Sequence, residues 1–335
     1  MSVILTIDLG KRQSVTCIYD LQTHQWTFGC VATTPAAIHD LIVETAPARL
    51  VIEVGSQAGW IHDLAVALEV PIQVANTADE KWKWSNGRRK TDRDDALKLA
   101  RLSAMDMLPT VHMPELKMRE WRSLIEYRQS LVGRVTAVKN NIRAILDRHG
   151  LSWPAGKKGW TLEAFGRLSR QSVPMDQVPP EGLWRGMLHM ELRQLDDLQE
   201  AVATVESKLN ELAEADKRVE LVKSIPGVGA RLAETVVAII DKPERFNNTK
   251  QIGCYAGLTP RQYQSGDSNR QGRISGAGNK LLRSLLVEVS WLARRHNPWV
   301  AEVFARVCRG EQGEAEDCDR GLCPPIADTS MGDAA

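Results

Sequence analysis

Apolar and polar positions fall into short blocks over the first hundred residues, and the period then changes. Residues 3–8, 14–19 and 26–33 read as three strands, the second and third joined by the polar turn Leu21-Gln22-Thr23-His24. Residues 35–46 read as a helix opening on Pro35. A buried strand at 50–54, an amphipathic helix at 59–68 and a fifth strand at 71–75 follow. Residues 91–107 read as a helix opened by Thr91 with acidic residues in its first turn. The order βββαβαβα predicts an α/β RNase-H-like (RuvC-like) domain, a central sheet with helices on its faces.

Beyond residue 110 the spacing is helical. Between 120 and 146, Leu124, Leu131, Val135, Val138, Ile142 and Ile145 share one stripe. Between 188 and 212 apolar residues recur every three or four positions, from Leu188, Leu192, Leu195 and Leu198 to Val202, Val205, Leu209 and Leu212. This fits an antiparallel hairpin within one chain, or a coiled-coil arm joining two copies. Residues 151–185 carry several Pro and Gly and read as an irregular insert. The expected division is 1–110, an α/β catalytic domain; 111–218, a helical connector; 219–308, a mainly α domain; and 309–335, an acidic, aromatic-poor tail expected to be disordered.

Composition adds little until charge is located. The 335 residues carry a formal net charge of +1, which alone argues against nucleic acid. Yet residues 81–93, with Trp82 and Trp84, and residues 261–295 are basic, and the acidic tail offsets them in the sum. Six scattered cysteines lack disulfide or zinc spacing, so free thiols in a reducing compartment are expected. No signal-like or membrane-spanning run is apparent, and a cytoplasmic protein is expected.

Four carboxylates carry the chemistry. Asp8 ends the apolar run Val3-Ile4-Leu5-Thr6-Ile7, and Glu53 follows Leu50-Val51-Ile52. Asp92 and Asp95 lie one helical turn apart and share a face, whereas Asp94 points elsewhere. Carboxylates at apolar strand ends are costly unless compensated. Convergent carboxylates suit a hard cation such as Mg2+, which supports phosphodiester chemistry. Asp8-Leu9-Gly10 also matches the first phosphate loop of sugar-kinase and actin-like ATPases, but those need a second such loop in a duplicated domain, and the sequence shows no such duplication.

Two further motifs lie downstream. Ser224-Ile225-Pro226-Gly227-Val228-Gly229 resembles a helix-hairpin-helix turn, in which Gly227 and Gly229 permit the bend and helix-start amides hold a phosphate. Residues 257–283 read as a basic, Gly-rich loop leading into a helix at Leu281, with Arg261, Arg270, Arg273 and Lys280 available to DNA. Ser265, before Gly266, is a candidate nucleophile, although from spacing alone a loop serine is usually just a turn former; Ser275 is its rival.

Taken in order, Ile7-Asp8, Ile52-Glu53, Lys90-Thr91-Asp92-Arg93-Asp94-Asp95-Ala96, Ile225-Pro226-Gly227-Val228-Gly229 and the 257–283 block resemble one family. That family is the insertion-sequence transposases that pair an N-terminal RuvC-like DEDD domain with a C-terminal serine transposase domain, the bridge-RNA-guided recombinases. The resemblance covers roughly residues 3–300. It implies that Asp8, Glu53, Asp92 and Asp95 bind Mg2+ and that Ser265 attacks DNA covalently. It also implies a structured non-coding guide RNA and a dimer or tetramer in which one subunit's serine completes another's carboxylate site. Asp267 and Gly276 depart from the usual Gly and Lys. A junction-resolving nuclease using water, and a non-catalytic nucleic-acid-binding relic, are the alternative functions.

Overall fold

The computed structural model describes residues 2–77, 82, 91–266 and 268–308. Most of the basic segment around Trp84, together with Asp267 and the acidic tail, therefore lies outside the described residues. The chain divides into two units, Met1–Arg119 and Glu120–Ala335. The first unit thus extends some residues past the expected limit at 110.

In the first unit, β1 (Val3–Asp8), β2 (Gln13–Asp20) and β3 (Trp26–Ala32) form an antiparallel meander. Then come α1 (Pro35–Thr45), β4 (Arg49–Glu53), α2 (Ala58–Ala67), β5 (Ile72–Ala75) and α3 (Asp92–Ala104). The sheet order is β3-β2-β1-β4-β5, with β1, β4 and β5 parallel. This is the expected element order, with bounds shifted by a few residues.

Strand alternation divides the core between the two faces. Leu5, Ile7, Leu50, Ile52 and Val74 pack under α1 and α2, and Ile4, Val51 and Ala75 pack under α3 with Cys17 and Tyr19. The edge strand β3 is almost wholly exposed. Arg101 from α3 lies 4.9 Å from the Trp26 ring and Arg93 lies 5.7 Å from Phe28. These cations cover ring faces that would otherwise stand bare on the sheet.

The second unit is helical. Helix α4 (Leu116–Arg148) belongs to it from Glu120 onward and packs against α6 (Leu183–Glu214). Leu131, Val138, Ile142 and Leu146 interleave with Leu188, Leu192, Leu195 and Leu198. Arg128 bonds Glu206 near one end, and His149 stacks on Trp184 at the other, so the pair is antiparallel. Of the two readings of the stripe, the hairpin within one chain accounts for these leucines.

The insert departs from expectation. Residues 151–182 are not irregular throughout: α5 (Leu162–Gln171) is flanked by short 3-10 turns, and α6 already begins at Leu183. Thr161 caps α5 by accepting the Ala164 N–H at 3.3 Å. Prolines around α5 masked its short period in the sequence.

Helices α7 (Lys217–Lys223), α8 (Ala230–Ile240) and α9 (Lys250–Tyr255) follow, then β6 (Pro260–Ser265), β7 (Ser268–Ile274), α10 (Lys280–His296) and α11 (Pro298–Cys308). Helix α8 is buried nearly along its whole length. Its C-terminal carbonyls are taken by arginines: Arg122 donates to Ala238 O and Ile239 O, and Arg245 to Ile240 O. Cations here oppose the negative end of the helix dipole and satisfy carbonyls that water cannot reach. No helix among the described residues is long and apolar enough to cross a membrane.

Candidate active site

The carboxylates are placed by strand register. Ile7 stands opposite Ile52 in the parallel β1–β4 pair, so Asp8 and Glu53 occupy adjoining positions at the C-terminal ends of two neighbouring strands. Alternation puts both on the same face as Ile4 and Val51, the face that α3 covers. Thr6 fixes the approach of that helix: its buried hydroxyl donates to Ala96 O at 2.8 Å. Ala96 directly follows Asp95, and Thr6 lies two residues before Asp8 on the same side. The first turn of α3 is thereby held over the ends of β1 and β4.

Asp95 is half-buried on this side, and Asp92, one turn earlier, is exposed. Asp94 is occupied otherwise. The Thr91 hydroxyl donates to its carboxylate at 2.7 Å, and the Asp94 N–H donates back to Thr91 Oγ1 at 3.2 Å. This cap separates Asp94 from the candidate set, as its spacing suggested. Asp8, Glu53 and Asp95 each interact with other groups of the protein. Among the described residues, no three His, Cys, Asp or Glu side chains already stand close enough to hold a metal ion. The donor set nevertheless fits a hard divalent cation: it offers carboxylate oxygens only, from adjoining strand ends and the helix turn tied above them.

Thr6 is the positioning residue that sequence reasoning missed. Its signal was present as a polar residue in the middle of an apolar strand, buried at 0% exposure. Beside it Cys17 is also fully buried, and burial pushes its thiol up to about 11, so it stays neutral.

The second candidate region lies in the helical unit. The Ser224–Gly229 segment does form a turn between α7 and α8, with Gly227 at φ 94. A Cβ on Gly227 would stand 3.0 Å from Ala293 Cα, so this turn packs directly on α10. Gly229 is the residue before α8, and nothing lies within 4 Å of its missing side chain. That open approach suits a backbone phosphate.

The 257–283 block is not the loop expected. It is a two-stranded hairpin, β6 paired with β7, and the following helix starts at Lys280 with Asn279 as its cap. The side chains of β6 are exposed on both faces, so no apolar alternation marked it as strand. Ser265 pairs with Ser268, leaving a two-residue turn in which Gly266 has φ 56. The serine sits exposed at the hairpin tip.

Arg270 lies opposite Tyr263, two positions back from that tip. Arg261 and Arg273 are at the root, where Arg261 Nη2 donates to Ser275 O at 3.3 Å. Ser275 N–H bonds Thr259 O, six residues before Ser265, so the two serines are held apart by roughly 20 Å. The hairpin brings one of the three arginines near Ser265 and two near Ser275.

Two glycines lock the root. A Cβ on Gly257 would lie 1.8 Å from Ala277 O, and one on Gly278 would lie 1.9 Å from Tyr255 O. Arg283 Nη1 ties the two segments that flank the hairpin by donating to Ala256 O at 3.0 Å and Ala277 O at 3.1 Å. The Gly-rich composition thus serves close backbone crossing, and the hairpin projects from a fixed base.

Comparison with known proteins follows the same two regions. Residues 5–150 match a DEDD transposase family model of the IS110 type, and residues 219–305 match the Transposase IS116/IS110/IS902 family. The chain is similar to the "Transposase for insertion sequence element IS1111A" of Coxiella burnetii, 31% identical over 62% of this chain and 56% of the relative. It is similar to "Putative transposase y4qE" of Sinorhizobium fredii, at 29% over 62% of this chain and 49% of the relative. It is also similar to a "Probable family 20 transposase" of Pseudomonas aeruginosa, at 24% over 84% of this chain and 81% of the relative. The chain spans about half the length of the first two of these relatives.

Proposed function

The chain carries the two matched domains of the IS110/IS116 transposase family, an N-terminal DEDD domain among them, and from that premise we propose that it cuts and rejoins DNA to move its own element. The observation that carries this reading is the register of Asp8 and Glu53 at adjoining strand ends, beneath the α3 turn that bears Asp92 and Asp95. A divalent ion held by those four residues would supply Lewis-acid stabilisation of a phosphodiester. The residues themselves orient that charge: Thr6 holds α3 down, and the Thr91–Asp94 cap keeps the helix start ordered.

Ser265 is the proposed nucleophile. Its Oγ forms a bond to phosphorus as the bond from phosphorus to one strand's oxygen breaks; the serine proton passes to a base and the departing oxygen takes one up. The phosphodiester energy is kept in the covalent link, and reversal with a new strand end reseals the DNA. The exposed hairpin tip supports this role, because a strand must reach the hydroxyl without unfolding the domain. Choice of DNA sites by a non-coding guide RNA, and assembly of several copies, are carried by the family resemblance.

The test is a denaturing gel of end-labelled element-junction DNA incubated with the protein, Mg2+ and its flanking RNA. A protein–DNA adduct that persists in Ser275→Ala and disappears in Ser265→Ala is the expected result. Cleavage without an adduct in every variant would replace the serine with water and make the protein a nuclease.

A further inference from the structure

The end of the first family-matched region and the segment that follows it carry a charged surface with no part in the carboxylate or serine chemistry. Residues 139–170 hold seven Lys and Arg against two carboxylates, Asp147 and Glu163, in a chain whose total is +1. Within this stretch Lys139, Arg143, Lys157, Lys158, Arg167 and Arg170 are all exposed or half-exposed. None forms an ion pair among the described residues, although Asp147 follows Arg143 by four positions and Glu163 precedes Arg167 by four.

Indole rings gather these cations. Lys139 and Arg143, one turn apart on α4, stand 5.0 Å and 5.1 Å from the same Trp160 ring. Arg167 on α5 stands 5.2 Å from Trp153, and Trp153 Nε1 donates to Gly159 O at 3.0 Å, which fixes the loop carrying Lys157 and Lys158. Arg143 Nη2 also donates to Gly156 O at 3.5 Å in that loop. Burial and the neighbouring Arg143 charge both lower the Lys139 pKa. Holding like charges around two rings with no counter-ion costs energy in the free protein, and a polyanion relieves it.

The rings also limit what kind of polyanion fits. Trp153 and Trp160 pack on the hairpin core with Leu131, Ile142 and Leu188, and cations cover them from outside. They leave no open platform for bases to stack on, which is how single strands are usually held. Fixed cations without base-reading groups match the regular phosphates of a duplex.

We propose that the C-terminal half of α4, the 156–160 turn and α5 form a sequence-independent docking surface for the backbone of duplex DNA, the turn and α5 lying between the two family-matched regions. The proposal rests on the reading of this chain as one that acts on DNA. The surface would hold DNA flanking the cut while chemistry proceeds elsewhere.

The test uses the full chain in fluorescence-anisotropy titrations over a salt series, with a labelled duplex of unrelated sequence and an RNA hairpin of matched length. K157Q/K158Q changes two exposed loop residues that have no side-chain partner among the described residues, and its thermal unfolding should match the wild type. Each lost phosphate contact lowers the slope of log K against log salt by about 0.9, so the double variant should lose roughly 2 and bind duplex about 30-fold more weakly at 0.15 M salt. R167Q/R170Q should add a further loss. Wild-type binding of duplex with unchanged slopes in both variants overturns the surface but leaves the DNA reading standing, as does a loss confined to the RNA hairpin. A wild-type chain that binds no duplex at all overturns both.

Discussion

Replacing Gly257 by Ala tests whether the hairpin root is as tightly crossed as its geometry requires. Gly257 has φ 72, and Gly276, in the same root, has φ 66. Alanine at either position enters the left-handed region at a cost of roughly 1–2 kcal/mol, partly offset by about 0.4–1 kcal/mol from a stiffer unfolded chain. The two sites therefore share one conformational cost. They differ in space: nothing lies within 4 Å of a Cβ at Gly276, whereas Ala277 O lies 1.8 Å from one at Gly257. The backbone must retreat by roughly 1.6 Å to restore ordinary contact. That movement pulls on the Gly276 N–H bond to Gly257 O and on the two Arg283 bonds, each of the latter worth about 1.5–3 kcal/mol as a charged hydrogen bond.

Gly276→Ala should cost about 1 kcal/mol and Gly257→Ala about 3–5 kcal/mol. Hydrogen exchange of the full chain, followed by mass spectrometry over residues 255–283, reads the difference locally. Gly257→Ala should raise exchange through β6 and β7 and remove strand cleavage, while Gly276→Ala should leave most protection in place. Equal exchange in the two variants would refute the crossing argument, since backbone conformation alone would then account for both.

Asp8→Asn and Glu53→Gln should each abolish DNA cleavage and remove the rise in melting temperature that Mg2+ gives the wild type; a full Mg2+ shift in both variants would detach these residues from the ion. Thr6→Val deletes the hydroxyl that donates to Ala96 O, a carbonyl inside α3 that keeps its helical donor, so about 0.5–1.5 kcal/mol of stability should be lost by urea unfolding, with cleavage falling further than Thr16→Val reduces it. Glu234, 1% exposed, has its pKa raised by burial although Arg231 pulls against it. A raised folded pKa means the contribution of Glu234 to stability is fully present below the ordinary carboxylate value of 4.5 and is lost as pH rises through the folded value. Glu234→Gln should therefore flatten the stability–pH curve upward of pH 4.5, and an unchanged curve would contradict the sign. Cys17, held neutral and buried, should resist alkylation at pH 8 while exposed Cys30 and Cys254 react, as peptide mass mapping would show.

The first unit was legible because its signals are local. Strand blocks such as Leu50-Val51-Ile52 and the Thr91 cap carry period and punctuation in a few consecutive residues, and the elements appear where that pattern puts them. Asp8 and Glu53 stood out for the same reason, as charges closing apolar runs. The β6–β7 hairpin was hidden because a strand exposed on both faces has no reason to alternate, and its glycines read as loop. Helix α5 was hidden by the prolines that flank it.

The residue order by itself determined which segments are strand or helix in the α/β unit, which carboxylates end apolar strands, and that Thr91 starts a helix. These depend on steric and solvation preferences that act within one or two turns of chain. Only the tertiary structure decided that Ile7 stands opposite Ile52, that Thr6 holds Ala96, and that Ser265 and Ser275 lie at opposite ends of one hairpin. It also decided that the stripe from Leu188 to Leu198 is spent on α4 of the same chain. Such pairings join residues far apart in sequence. Their free energy comes from burying apolar surface and satisfying buried polar groups together, and no local pattern records which distant partner does so.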